Sequence, residues 1–191
     1  MSDRRKEATR LEIAEAGRRL FVQDGYDRVS PEAIASAAGV SLRSFYRYFS
    51  SKEEVLSPLI RAGTADFGRL IAARSPSEDL VTAVERAYTA LTAGTERGGV
   101  TGVIALLLDV PVLRARWLDD LRSIEDALVP VVQGRSPLPL SADKARLTTA
   151  AIVTAVRISL EAAVREGSDE VIATHLGANL RYLLAGAGLG P

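Results

Sequence analysis

Residues 39–52 read GVSLRSFYRYFSSK, a glycine followed by interleaved aromatic, arginine and hydroxyl side chains. At 100° per residue, Leu42, Phe45 and Phe49 fall on one side of a helix. Arg43 with Arg47, and Ser44 with Tyr48, occupy the other side at i, i+4 spacing. The apolar side anchors a short helix and the polar side points outward. Gly39 suits a left-handed turn, Val40 plugs that turn into a core, and Ser41 is an N-cap for a helix over Leu42 to Phe49.

Working upstream, Ser30-Pro31-Glu32 is an N-cap followed by proline at the first helical position, and predicts a helix running to about Ala38. Before it, a helix over about Arg4 to Asp24 places Ile13, Ala16, Leu20 and Phe21 on one face, with Gly25 as its C-cap. Helix, glycine turn, helix is the helix-turn-helix arrangement, in which the second helix enters the major groove of DNA and the first braces it. An outward arginine pair suits guanine O6/N7 or phosphate, and serine and tyrosine hydroxyls suit phosphate oxygens. Lys52, at the start of the following element, adds a cation to that face.

The rest of the chain is consistent with a helical body behind such a head. It has 191 residues, 47% hydrophobic and 25% charged, with no cysteine. Disulfides and thiolate metal sites are therefore excluded, and a reducing, cytoplasmic setting is expected. The strongest apolar run, Val103 to Leu108, is far short of the ~20 residues of a membrane span, so no membrane partner is expected. Net charge is zero, which argues against coating nucleic acid by bulk charge. Residues 1–52 hold ten Lys and Arg against seven Asp and Glu, giving a mildly basic N-terminal portion.

Strand signals are missing while helix caps recur, so the fold is all-α. Ser50-Ser51-Lys52-Glu53-Glu54 reads as a capping box. Ser75-Pro76-Ser77-Glu78 predicts a helix from about residue 76 to Gly94, followed by a glycine-rich loop over Gly94 to Gly102 and a helix near Val103 to Leu108. A longer helix runs from about Pro111 to Gln133, with Pro130 expected to kink or shorten its end. Gly134 to Leu140 reads as a linker, residues 142–166 and 169–185 as two helices joined by Gly167-Ser168, and the closing AGAGLGP as a frayed tail. Residues 94–101 nearly imitate a phosphate-binding loop, but valine replaces the essential lysine and no strand precedes it. His175 has neither a second histidine nor a cysteine nearby for a metal, and no Ser/His/Asp order sits in a strand-to-helix context. No enzyme activity, cofactor or metal is expected.

The stretch GYDRVSPEAIASAAGVSLRSFYRYFSSKEEVL resembles the DNA-binding signature of the Tet repressor family of bacterial transcription regulators. Gly25-Tyr26, Ser30, Ile34-Ala35, Ala38-Gly39-Val40-Ser41, Phe45-Tyr46, Tyr48-Phe49 and Ser51-Lys52 carry the likeness across roughly residues 8–56. The resemblance implies about nine helices, a three-helix DNA-binding domain over 1–56 and an effector-binding, dimerising domain over 57–191. It further implies double-stranded DNA with a palindromic operator, a second copy of the chain and a small-molecule effector as partners. Ser30 and Ser44 stand where the family usually has threonine and keep the hydroxyl. Tyr46, Tyr48 and Lys52 match phosphate-contacting positions, Leu42, Arg43 and Arg47 match variable positions where sequence is read, and the cap Ser41 is counted with them among the DNA-binding residues. Ile152, Val153, Val156, Leu160 and Val164, with Ile172, Leu176, Leu180 and Leu183, make the last two helices apolar beyond a one-sided surface pattern and are expected at the dimer interface. Phe67, Tyr88, Leu107, Leu113, Arg114, Trp117, Leu121 and Ile158 are the candidates for an effector cavity. VPVLRARWLDDL resembles a segment in a branch of the family associated with acyl-CoA-like ligands, with Trp117 as apolar wall and Arg114 as anion partner. The alternative is a dimeric helical interaction module that no longer binds specific DNA.

Overall fold

The computed structural model describes residues 3–93, 99–136 and 139–184. Among them the chain is all helical, with nine α-helices: α1 Asp3–Asp24, α2 Pro31–Ala37, α3 Leu42–Tyr48, α4 Ser57–Ala72, α5 Leu80–Thr92, α6 Gly99–Asp109, α7 Pro111–Arg135, α8 Ala142–Glu166 and α9 Ile172–Leu184. Short 3-10 turns follow α1, precede α4 and precede α9. Two compact units result, one of residues 1–62 and 105–120, the other of 63–104 and 121–191. The boundary therefore follows packing rather than chain order: parts of α6 and α7 belong to the N-terminal unit.

In the first unit, Ile13, Ala14, Ala16 and Phe21 of α1, Ile34 and Ala35 of α2, and Phe45 and Phe49 at α3 are buried. Gly17 sits at a point of close approach, because a Cβ there would lie 2.3 Å from Val55 Cγ1. The turn from α2 to α3 is built by backbone bonds that need a left-handed residue. Gly39 adopts φ 66° and donates to the Ser36 carbonyl, and Val40 N–H donates to that of Ala35. Ser30 Oγ accepts from Ala33 N–H and Ser41 Oγ from Ser44 N–H, so both expected N-caps are made.

The second unit has one core of Phe67, Ile71, Val81, Val84, Tyr88, Leu128, Val132, Ile152, Val153, Ile172, Leu176, Leu180 and small residues between them. By length and composition α8 is apolar enough to cross a membrane. Its Ala145, Thr149, Ile152, Val153, Ala155, Ser159, Ala162 and Ala163 are buried within the unit. Asn179 on α9 donates to the buried Ser159 hydroxyl at 3.1 Å, which itself donates to the Ala155 carbonyl. The Ser159 hydroxyl is thereby satisfied as donor within α8 and as acceptor from α9, while buried Thr149 donates to the Ala145 carbonyl of its own helix.

Several boundaries differ from the sequence reading. The helix expected from residue 76 begins at Leu80 with Asp79 as N-cap, its carboxylate accepting Thr82 N–H. Glu78, expected inside the helix, is instead held by Arg74 and Arg86. The helix expected at Val103 begins at Gly99, because the Asp169 carboxylate accepts N–H bonds from Val100 and Thr101. A cap supplied from 68 residues away leaves no local signature. α7 continues through Pro130 to Arg135, whose guanidinium ties its last turn to the carbonyls of Ile71, Arg74, Ser75 and Glu78. The left-handed Gly167 ends α8 at the expected Gly167-Ser168 junction, and Ser141, not singled out by the sequence, caps its start through Lys144 N–H. Residues 94–98, 137–138 and 185–191 lie outside the described residues, so most of the phosphate-loop mimic, part of the linker and the closing tail do too.

Candidate nucleic-acid interface

α3 is fastened from behind and exposed in front. Phe45 is fully buried, its ring 5.5 Å from that of Phe49 and edge-on to Tyr46 at 5.4 Å. Arg10 of α1 lies with its guanidinium 5.5 Å from the Phe49 ring centre. On the outward side Arg43, Tyr46 and Arg47 are exposed, while Leu42, Ser44 and Tyr48 are half-buried. Arg47 rests over the Tyr48 ring at 5.0 Å, which fixes a planar cation beside a phenol. Ser41 and Ser44 hydroxyls lie 3.1 Å apart, and exposed Ser30 stands at the start of α2. All nine residues expected on this face thus belong to one unit, on α2, α3 and the turn after α3.

Lys52 has a second task that its residue type did not reveal. Its ammonium donates to the carbonyls of Tyr26 at 3.0 Å and Val29 at 3.1 Å, and lies 4.0 Å from the Tyr26 ring centre. The neighbouring Glu53 accepts a 2.5 Å bond from the Tyr26 hydroxyl. Burial first, and Glu53 second, push the Tyr26 phenol well above its usual range. The Ser51 hydroxyl first, then that of Tyr26, holds the Glu53 carboxyl below the ordinary carboxylate range. These bonds explain why the expected capping box opens only a 3-10 turn, Lys52–Glu54, while α4 waits until Ser57. Residues 52 and 53 are drawn toward Tyr26 instead of an advancing helix.

A pH dependence follows from Glu53. A carboxyl lowered on folding stabilises the fold above its unfolded pKa, and that contribution is lost as pH falls through the folded value. Acid unfolding of the first unit is expected to flatten in Glu53→Gln relative to wild type, read by Trp117 fluorescence; identical acid profiles would show that the Tyr26 pair carries no linkage.

The candidate cavity residues do not assemble as one set. Phe67 and Tyr88 meet edge-on at 6.1 Å in the second unit, with Leu121 packed against the same core. Leu107, Leu113 and Trp117 are buried in the first unit. Ile158 is 40% exposed on α8. Arg114, expected to face an anion, is exposed and donates to the Leu108 carbonyl at the end of α6. It is one helical turn into α7, within reach of that orphan carbonyl, and serves as its C-terminal partner.

The residues expected at a dimer surface also divide. Ile152, Val153, Ile172, Leu176 and Leu180 are core residues of their own unit. Val156, Leu160 and Val164 are half-buried, and Leu183 is 42% exposed. The apolar period marked both faces of α8 and α9 without separating the inner from the outer.

A three-helix unit that buries its phenylalanines and presents arginines, serines and tyrosines on a capped second helix has the architecture of a helix-turn-helix DNA-binding domain. Residues 13–58 match the family model of bacterial regulatory proteins, tetR family. The chain is 28% identical over 151 residues to the HTH-type transcriptional regulator TcmR of Streptomyces glaucescens, covering 75% of this chain and 67% of that protein. It is 26% identical over 132 residues to the HTH-type transcriptional repressor AcnR of Corynebacterium diphtheriae, covering 68% and 66%. Among solved structures it is similar over 95% of its length to 96% of Thermus thermophilus FadR, a TetR-family transcriptional repressor in complex with lauroyl-CoA, at 25% identity and a TM-score of 0.59. A regulator from Syntrophomonas wolfei shares the fold over 96% of this chain and 98% of its own, with a TM-score of 0.67 at 17% identity. Over residues 13–58 the chain carries the signature of the tetR family of bacterial regulatory proteins.

Proposed function

We propose that the protein is a transcriptional repressor that binds a palindromic operator as a homodimer and leaves it when a small molecule binds. The observation carrying this reading is the exposed polar face of α3 on a fully buried phenylalanine anchor. Leu42, Arg43 and Arg47 read base edges in the major groove. Ser30, Ser41, Ser44, Tyr46, Tyr48 and Lys52 hold phosphates on either side. Two such helices in a two-fold dimer would meet half-sites about one DNA turn apart, which is why the operator is palindromic. The outer edge of α8 and α9, with Val156, Leu160, Val164 and Leu183, supplies the mutual surface.

The effector is an apolar molecule of acyl-thioester type. Support comes from the lauroyl-CoA bound to the Thermus relative and from the aromatic and aliphatic character of the second unit's core, where Phe67, Tyr88 and Leu121 pack together. The test is selection of binding sites from a random duplex library by purified protein, then competition of the selected duplex by a panel of acyl-CoA esters, with sedimentation to count subunits. A palindrome bound by a dimer and released by a long-chain ester is expected. Recovery of no sequence would leave a helical dimeric interaction module, and a monomer on a single half-site would overturn the symmetric arrangement.

Lys52→Ala is expected to weaken binding several-fold on every duplex and to lower the salt slope by ~1, as loss of one phosphate contact does. A loss of affinity with an unchanged salt slope would assign Lys52 to its carbonyl ties alone.

A further inference from the structure

The first unit contains a continuous polar chain that runs from the middle of α7 to the residue after α3's C-cap. Asp120, buried on α7, accepts from the Ser57 hydroxyl at 2.7 Å. Ser57, itself buried at the start of α4, accepts from Arg116 Nε at 3.3 Å. Arg116 pairs with Glu54 at 4.0 Å. The other oxygen of Glu54 accepts the backbone N–H of Ser50 at 3.1 Å. Each member is oriented by the next, and no phosphate-facing residue takes part.

We propose that Asp120, Ser57, Arg116 and Glu54 are positioning residues for DNA binding, setting the exit of the recognition helix through the Ser50 N–H. The physical reason is the asymmetry of buried polar groups. Asp120 and Ser57 are too enclosed to exchange partners with water, so their bonds are kept. Arg116, held by Ser57 on one side, places its remaining donors toward Glu54. Glu54 is thereby kept over the Ser50 amide, immediately beyond Phe49, the C-cap of α3. Without that bond the segment 50–54 gains freedom, and with it the placement of Tyr48 just before it and of Lys52 within it. The operator then meets a face whose residues are all present but less ordered.

This inference rests on the DNA-binding reading above, and its test separates the two. Ser57→Ala removes the hydroxyl that bridges Asp120 and Arg116 with almost no change of shape, and Glu54→Gln weakens the far end. Each is expected to raise the Kd for the duplex selected by wild-type protein about tenfold, the scale of one charge-assisted hydrogen bond. The salt slope should not change, because no phosphate contact is lost. The double variant should be little weaker than either single one, since both break the same chain. Asp120→Asn keeps an acceptor for Ser57 and should bind near the wild-type level, whereas Asp120→Ala should not.

The second readout needs no DNA. Amide exchange at Ser50 should accelerate in Ser57→Ala and Glu54→Gln alike; Ser57→Ala, which leaves the buried Asp120 carboxylate without that partner, should also lower the melting temperature, whereas Glu54→Gln should nearly retain it. Unchanged Ser50 exchange, or losses of affinity that multiply in the double variant, would overturn the proposal. A reduced salt slope would do so too, by making these residues direct contacts. If wild-type protein selects no duplex, the DNA-binding reading fails on that result, while Ser50 exchange still decides whether the chain of bonds holds the exit of α3.

Discussion

Replacing Phe45 by alanine is expected to destabilise the first unit by about 3–5 kcal/mol, enough to leave much of it unfolded at 37 °C. The ring is fully enclosed and lies against Phe49, which is itself 1% exposed. α3 has only seven residues, so its own hydrogen bonds cannot sustain it and its packing must. Trp117 is the chain's one tryptophan and lies buried in the same unit, so its fluorescence during urea unfolding reports the loss directly. A midpoint shift corresponding to less than about 1 kcal/mol would mean the site collapses around the missing ring and that Phe45 is not the anchor. DNA affinity should vanish in parallel with folding rather than before it.

Arg43→Ala is expected to leave folding intact and abolish preference at one operator base pair. Its side chain is exposed at the second position of α3, where a recognition helix places its first residues against base edges. A bidentate arginine contributes about 1–3 kcal/mol of discrimination, roughly fivefold to a hundredfold. Measured across a set of operators varied one base pair at a time, the wild type should penalise changes at a symmetric pair of positions that the variant tolerates. If the variant instead lost affinity uniformly on all duplexes, Arg43 would be a phosphate contact and base reading would fall to Arg47 and Leu42.

The DNA-binding unit was legible because its determinants are local. Ser30, Gly39 and Ser41 act within four residues of themselves, and the 3.6-residue period separates Phe45 and Phe49 from Arg43 and Arg47. What failed to show were features whose two halves lie far apart in sequence. Asp169 caps α6, Arg135 secures α7 beyond its proline, and Lys52 turns toward Tyr26 and Val29; each looks ordinary in its own neighbourhood. The apolar runs of α8 and α9 posed a different problem. Periodicity reports that Ile152 and Leu183 avoid water, but not that one is covered by its own unit and the other is left outside. Arg114 illustrates the same limit for a charge, since nothing in VPVLRARWLDDL distinguishes a ligand-facing guanidinium from one that finishes the preceding helix.

The clamp around Tyr26 bears on how such a protein changes over generations. Phe45 and Phe49 hold α3 from within, and Lys52 and Glu53 tie the segment after it to the end of α1 through Tyr26. Positions 42, 43 and 47 are spared from that scaffolding. On the proposed assignment of these three residues to base reading, a lineage can alter them, and the operator it recognises, through single steps that each leave a foldable protein, so that duplicated copies diverge in target long before they diverge in architecture.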